Sequence, residues 1–206
     1  MSIVIIDYGM GNIGSIANMF KKVGAQTVIS SDLLVVEKAS KLILPGVGTF
    51  DAGMKNLETR GLIPLLNFLV LEKKIPILGV CLGMQLLCKK SEEGQIPGLG
   101  WLDAEVIRFK FDRNTTNLKI PNMGWNTLDV LKPHPLSADL EAENRFYFVH
   151  SYHIVCVDQS NVLALANYGY DFAAAVVKDN IMGVQFHPEK SHKFGMRLFK
   201  NFAEHV

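Results

Sequence analysis

Residues 77–87, ILGVCLGMQLL, set a cysteine between a short apolar run and a helical pattern, with Gly79 and Gly83 two residues to either side. Few backbones accommodate that arrangement. The apolar run reads as a buried strand and the residues after Cys81 as a helix. A chain that turns so sharply needs neighbours without side chains, because strand and helix must nearly touch two residues before and after the turn. The segment therefore predicts strand, tight turn and helix, with the thiol held at the turn.

The rest of the N-terminal half repeats this alternation. SIVIID (2–7), QTVIS (26–30), KLILP (41–45) and IPILGV (75–80) read as strands. NIGSIANMFKKVG (12–24), TFDAGMKNLETRG (49–61), LIPLLNFLVLEKK (62–74) and the stretch from Cys81 to about Lys90 read as helices. Continuously apolar strands alternating with helices indicate a parallel sheet covered on both faces. From residue 104 onward the pattern changes to short β-like runs at 104–109, 126–130, 145–150, 153–157, 162–167, 173–177 and 181–186. Lys178, Asp179 and Asn180 mark a hairpin turn between the last two. A closing helix begins near Ser191. The expectation is one α/β domain over residues 1–206, with a mixed, mainly parallel central sheet flanked by helices in a flavodoxin-like arrangement.

Composition excludes several function classes. The chain has 206 residues, 49% of them hydrophobic, which is enough for one sizeable core. Its 21 basic and 20 acidic residues leave a net charge of +1 and form no phosphate-tracking cluster, so no nucleic-acid partner is expected. The longest apolar stretch, LIPLLNFLVL (62–71), is about half a membrane span. The N-terminus meets Asp7 with no basic lead and reads as a first strand rather than a signal peptide. Cys81, Cys88 and Cys156 form no C-x-x-C pair, and the histidines show no ligand spacing. No disulfide framework, metal or cofactor is expected, and a reducing, cytoplasmic compartment fits.

One motif competes for the first turn. Gly9, Gly11 and Gly14 form G-x-G-x-x-G after the first strand, with Asp32 some twenty residues on, as in a dinucleotide-binding loop. Against it, Asp7 and Tyr8 are polar where such a strand usually stays small and apolar.

Cys81 points to nucleophilic chemistry. At a helix N-terminus the free N–H groups and the dipole favour a thiolate, and the Leu82 N–H is placed to meet a developing oxyanion. Cys88 and Cys156 sit in apolar patterns and read as core. A cysteine nucleophile needs a base and an orienting acid. GVQFHPEKS (183–191) supplies both at a strand end: His187 and Glu189, with Pro188 turning the chain between them. The order nucleophile, histidine, acid differs from that of α/β-hydrolases.

GVCLGMQLL with a downstream FHPE resembles the class I, triad-type glutamine amidotransferases, and the resemblance covers essentially the whole chain. It implies glutamine hydrolysis to glutamate and ammonia through a Cys81 thioester, without a cofactor. PGVGTF (45–50) matches the family's oxyanion strand, so Val47 would supply a second N–H and Gly48 would line the glutamine pocket. Gln85 matches the residue that holds the substrate's amino-acid end. His150, Ser151 and Tyr152 match the segment that grips its carboxylate and amine through the backbone. DYGMGN, PNMGWN (121–126) and YFVHSY (147–152) are similar to glutaminase subunits of the imidazole glycerol phosphate synthase kind. In these, a TIM-barrel cyclase partner in a heterodimer receives the ammonia. Asn12, Met123, Trp125, Asn126, Tyr147 and Lys190 match positions at that interface. Asn122 departs from the family, which commonly has histidine there. Paralogues of this subunit supply ammonia for amidation or amidination of bacterial surface sugars, so the resemblance spans two acceptor pathways. The paired glycines of PGVG imply a mobile Val47 peptide and activity that depends on the partner.

Overall fold

The computed structural model describes residues 2–112, 117–140 and 143–206. Its centre is a run of five parallel strands. These are β1 (Ile3–Ile6), β2 (Thr27–Ser30), β3 (Lys41–Leu44), β4 (Ile77–Val80) and, far along the chain, Ile181–Val184. The remaining strands are β5 (Lys90–Ser91), β6 (Ala104–Arg108), β7 (Asn122–Asn126), β8 (Asp129–Val130), β9 (Phe146–His150), β10 (Tyr152–Cys156), β11 (Val162–Asn167) and β12 (Asp171–Lys178), making Ile181–Val184 β13. The main sheet runs β2-β1-β3-β4-β13-β12-β10-β6-β5, parallel as far as β13 and antiparallel through β12, β10 and β6. The first five positions reproduce the doubly wound flavodoxin order, in which ligands sit beyond the carboxyl ends of the strands.

Alternation within the strands feeds two cores. Val4 and Ile6 of β1 point to one face, Ile3 and Ile5 to the other. On the first face lie α3 (Phe50–Thr59), α4 (Leu62–Asn67) and α5 (Leu82–Leu86). On the second lie α1 (Ile13–Lys22) and the closing helix His192–His205, whose Phe20 and Phe199 rings meet at 4.6 Å. β7 and β9 form a separate antiparallel ribbon.

Several local expectations need correction. The helix after Cys81 stops at Leu86 rather than near Lys90, because Lys90–Ser91 pairs as β5 with Glu105 and Val106 of β6. The strand expected at 126–130 resolves into β7, which ends at Asn126, and β8. The helix expected over 62–74 is α4 followed by a π-turn at Phe68–Glu72. A short helix unforeseen in the sequence, Leu33–Val36, precedes β3; Asp32 caps it by accepting the Leu34 N–H at 2.9 Å. That makes it α2 and the closing helix α6.

The dinucleotide reading of the first turn loses its residues here. Asp32 is engaged as a helix cap, and Gly14 lies within α1 with nothing against it. Gly11 has a φ of +103°, and a Cβ there would lie 2.8 Å from Pro45 Cβ. The glycine lets the β1–α1 loop settle on the loop after β3.

Candidate active site

Four loops converge at the carboxyl edge of the parallel strands: those after β1, β3, β4 and β13. At the β4–α5 turn Cys81 has φ +55° and ψ −111°, a strained conformation for a residue with a side chain. The flanking glycines explain how it is held. A Cβ on Gly79 would lie 2.7 Å from the Met84 nitrogen, and one on Gly83 would overlap the Leu44 carbonyl. The strand, the turn and the neighbouring β3 therefore pack backbone on backbone. Cys81 is 7% exposed, so its thiol lines a cleft rather than standing out in solvent.

That cleft has a volume of about 340 Å³ and is lined by Val47, Gly48, Cys81, Leu82, Gln85, Glu93, Pro121, Val149, His150, Ser151, Tyr152 and His187. It is large enough for a small ligand. A larger hollow of about 640 Å³ follows the loop from Val130 to Ala138, with no cysteine or carboxylate in its lining.

His187 and Glu189 meet as the spacing suggested, with Nδ1 2.8 Å from Oε1 and both side chains almost wholly buried. His187 Nε2 is buried and makes no hydrogen bond of regular geometry. Burial by itself would lower the His187 pKa; the Cys81 sulfur and the Glu189 carboxylate outweigh it and raise it to about 9. Burial likewise opposes ionisation of Glu189, but its hydrogen bonds from His187 and Asn12 and the facing imidazole hold its pKa below the ordinary carboxylate value. Asn12 Nδ2 donates to Glu189 Oε1 at 3.1 Å. Asn12 thus ties the start of α1 to Glu189.

The loop after β3 has two unlike halves. Tyr8, wholly buried, donates its hydroxyl to Pro45 O at 2.6 Å. A Cβ on Gly46 would lie within 2.8 Å of the Tyr8 hydroxyl, the Gly83 nitrogen and Leu82 Cβ. Gly46 is thus a packing glycine. Gly48, with φ +111°, has only the end of the Met10 side chain against it, and Val47 is 40% exposed. Any room for the Val47 peptide to turn lies at Gly48.

On the opposite wall, His150 and Gln85 share one acceptor. His150 Nδ1 lies 2.8 Å from Tyr152 O, and Gln85 Nε2 donates to the same oxygen at 3.1 Å. A carbonyl only accepts, so His150 carries its proton on Nδ1, and Nε2 accepts from Asn122 Nδ2 at 3.0 Å. Burial keeps this ring neutral, lowering its pKa to about 3. The side chain of Asn122, the residue that departs from the family, is thus used internally. Glu93 was missed in the sequence. Its Oε2 accepts the Phe50 N–H at 2.8 Å, which fixes a carboxylate at the cleft. An acidic residue in a loop carries no signal for this.

The six residues matched to an interface divide. Met123 and Trp125 are 62% and 48% exposed on the outer face of β7. Trp125 stacks on His192 with centroids 5.4 Å apart and planes 5° apart, and meets Tyr147 edge-on. Lys190 Nζ lies over the Tyr147 ring at 5.6 Å. Asn126, by contrast, is tied down locally, donating to Asn167 O at 2.7 Å. Tyr147 joins this ribbon to the base: the His187 N–H donates to Tyr147 O, the Tyr147 N–H to Ser191 Oγ, and Ser191 Oγ to His187 O.

A strained cysteine at a strand–helix elbow, faced by a buried histidine–carboxylate pair on a doubly wound sheet, defines a class of cysteine-dependent α/β enzymes. The chain belongs to the class-I glutamine amidotransferases, whose family model matches residues 4–206. It is 54% identical over 202 residues to the imidazole glycerol phosphate synthase subunit HisH 2 of Methanococcus maripaludis, covering 98% of each protein. It is 52% identical over 204 residues to the subunit of the same name from Pseudomonas aeruginosa, covering 99% of this chain and all of that one. Among solved structures, a glutamine amidotransferase superposes with a TM-score of 0.70 at 22% identity, covering 98% of both chains. PurLQS from Thermotoga maritima superposes with a TM-score of 0.69 at 18% identity over 97% of this chain and 96% of that one. These two structural likenesses speak for the fold alone. Among the described residues, no helix is long and apolar enough to cross a membrane, and no cluster of metal-ligating side chains forms.

Proposed function

We propose that this chain is the glutaminase subunit of an imidazole glycerol phosphate synthase, working in the cytoplasm in histidine biosynthesis with a TIM-barrel cyclase as its partner in a heterodimer. The observation that carries the chemistry is the single cleft at the strand ends, where Val47, Gly48, Cys81, Leu82, Gln85, His150, Ser151, Tyr152 and His187 all meet. Near full-length identity to subunits named HisH supports the pathway.

In this reading Cys81 Sγ attacks the side-chain amide carbon of glutamine. The N–H groups of Leu82 and Val47 hold the oxyanion of the tetrahedral intermediate. His187, with its raised pKa, holds at neutral pH the proton that the leaving ammonia requires. Glu189 steadies the charged ring, and Asn12 steadies Glu189. Once ammonia has left, His187 takes a proton from water, which attacks the thioester carbon and releases glutamate and the Cys81 thiolate. Both Gln85 amide hydrogens are engaged, so it offers the substrate only its carbonyl oxygen. That oxygen and the Glu93 carboxylate suit the α-ammonium. The ammonia passes to the cyclase, which combines it with a phosphorylated ribulosyl aminoimidazole carboxamide nucleotide. The exposed Met123 and Trp125, with Tyr147 and Lys190, form the docking face. Tyr147 ties that face to the backbone of the base, a short route by which the partner can set the site.

The test is glutamate production from glutamine by the purified chain, alone and with the cyclase subunit and its nucleotide ligand, with Cys81→Ser as control. Low activity alone and strong stimulation in the complex is the expected result. A folded chain that no cyclase stimulates would overturn the pathway and turn attention to the surface-sugar branch.

A further inference from the structure

The Cys81 sulfur has a neighbour besides His187. Gln185, fully buried just past β13, directs Nε2 at Cys81 Sγ from 3.8 Å. Its place follows from strand alternation. Residues 185 and 187 fall on one side of the chain. Phe186 between them points away, against the Phe146 ring at 4.2 Å. The backbone is pinned on both sides, with the Gln185 N–H on Ala174 O and the Cys81 N–H on Val184 O, each 2.8 Å.

Which end of the Gln185 amide faces the sulfur is decided by the groups behind it. Tyr152 O accepts one hydrogen of the Gln85 NH2 at 3.1 Å. The other hydrogen of that NH2 needs an acceptor, and Gln185 Oε1 lies 3.0 Å away. With Oε1 so engaged, Gln185 has its N–H left for the sulfur. An amide orientation that would otherwise be arbitrary is dictated by a backbone carbonyl two side chains distant.

We propose that Gln185 is a donor to the nucleophile: its N–H holds Cys81 Sγ in place at the elbow and stabilises negative charge on the sulfur before attack and after thioester hydrolysis. This rests on the assignment of Cys81 as nucleophile. A hydrogen bond to the charged form of a group favours that form. A donor already in place when the thioester breaks needs no reorganisation.

The test is alkylation of Cys81 by iodoacetamide as a function of pH in the full chain, with Cys88 and Cys156 followed separately by peptide mapping. Gln185→Met removes the donor and retains bulk. It should slow Cys81 alkylation at pH 7 about tenfold, equivalent to a shift of about one pH unit in the profile. In the complex it should lower kcat for glutamine while KM stays within about threefold. Gln185→Glu, isosteric with the native residue, should do more, and its deficit should grow as the carboxylate ionises. A purely structural role would lower the unfolding temperature and leave the profile where it was. An unmoved profile in whichever variant folds overturns the proposal. Alkylation reads the sulfur alone, so a chain without glutaminase activity but with the expected difference would sink the function and not the donor.

Discussion

Cys81 and Cys88 are seven residues apart, both buried, and set in opposite surroundings. Cys88 packs in the core behind α5, its sulfur 4.0 Å from Met84 O; burial, and then the nearby Cys156, push its pKa well above the ordinary thiol value. Cys156 follows the same rule, pushed up to about 11 by burial and then by Asp158. Cys81 is nearly as buried but stands at a strained turn, with the Gln185 amide and the buried His187–Glu189 pair around it and a cleft in front. Burial alone silences a thiol. Donors and a cation beside a buried thiol are the surroundings that the proposed chemistry asks for. The same residue type thus meets a sealed core at one position and a polar cleft at the other, according to which strand ends surround it.

The largest test of that contrast is substitution. Cys81→Ser should cost at least about 10⁴-fold in glutamine hydrolysis, whereas Cys88→Ser and Cys156→Ser should stay within about twofold; steady-state assays of the complex decide. Equal losses at 81 and 88 would erase the distinction. Next comes the acid. Glu189→Gln removes the charge that stabilises the imidazolium and should cost about 10²–10³-fold, with the optimum of the pH–rate profile moving to lower pH as His187 loses its partner.

Asn12→Ala should cost less, about tenfold, because it loosens Glu189 without removing it. It also separates two roles for this residue. If Asn12 serves the acid, the isolated chain loses activity as much as the complex does; if it serves docking alone, only the complex suffers.

A separate effect, on stability rather than rate, is the most gradual, and the two cleft histidines give it opposite signs. His187, raised to about 9 from an unfolded value near 6.5, contributes stability that is complete below pH 6.5 and disappears as pH rises through 9. His150, lowered to about 3, contributes stability that is complete above pH 6.5 and is lost as pH falls toward 3. His150→Gln should therefore flatten the acid side of a plot of unfolding temperature against pH, and His187→Gln the alkaline side. Each should account for about 1 kcal/mol per pH unit within its window.

Local pattern and local chemistry made much of this molecule legible in advance. The four N-terminal strands, α1, α3 and the elbow at Cys81 lie where periodicity and glycine spacing put them. The elements that escaped are those whose form depends on distant partners. α5 ends early because β6 takes up Lys90 and Ser91. β7 is a strand because β9 lies beside it, pairing Trp125 with Tyr147 and Asn122 with His150. α2 was missed because LLVV after QTVIS carries no helical periodicity; only the Asp32 cap marks it. The glycines of the first turn match a ligand-loop pattern that Asp7 and Tyr8 already weaken, but what Gly11 does instead shows only in Pro45 lying against it.

The sequence by itself determined where the backbone must turn tightly, which faces are apolar, and which residue types could act as nucleophile, base and acid. Those properties are written over a few consecutive residues, in periods of two and 3.6 and in the smallness of glycine. Only the tertiary structure decided the partners of the polar groups: Asn12 with Glu189, Gln85 with Gln185, Gln185 with Cys81, and Tyr147 with His187. Each of these contacts joins residues from 40 to 177 positions apart. A hydrogen bond requires donor and acceptor within about 3 Å, and somewhat more where the acceptor is sulfur, and that proximity exists only once β4 and β13 lie side by side and the loops after β1, β3 and β13 meet over one strand end.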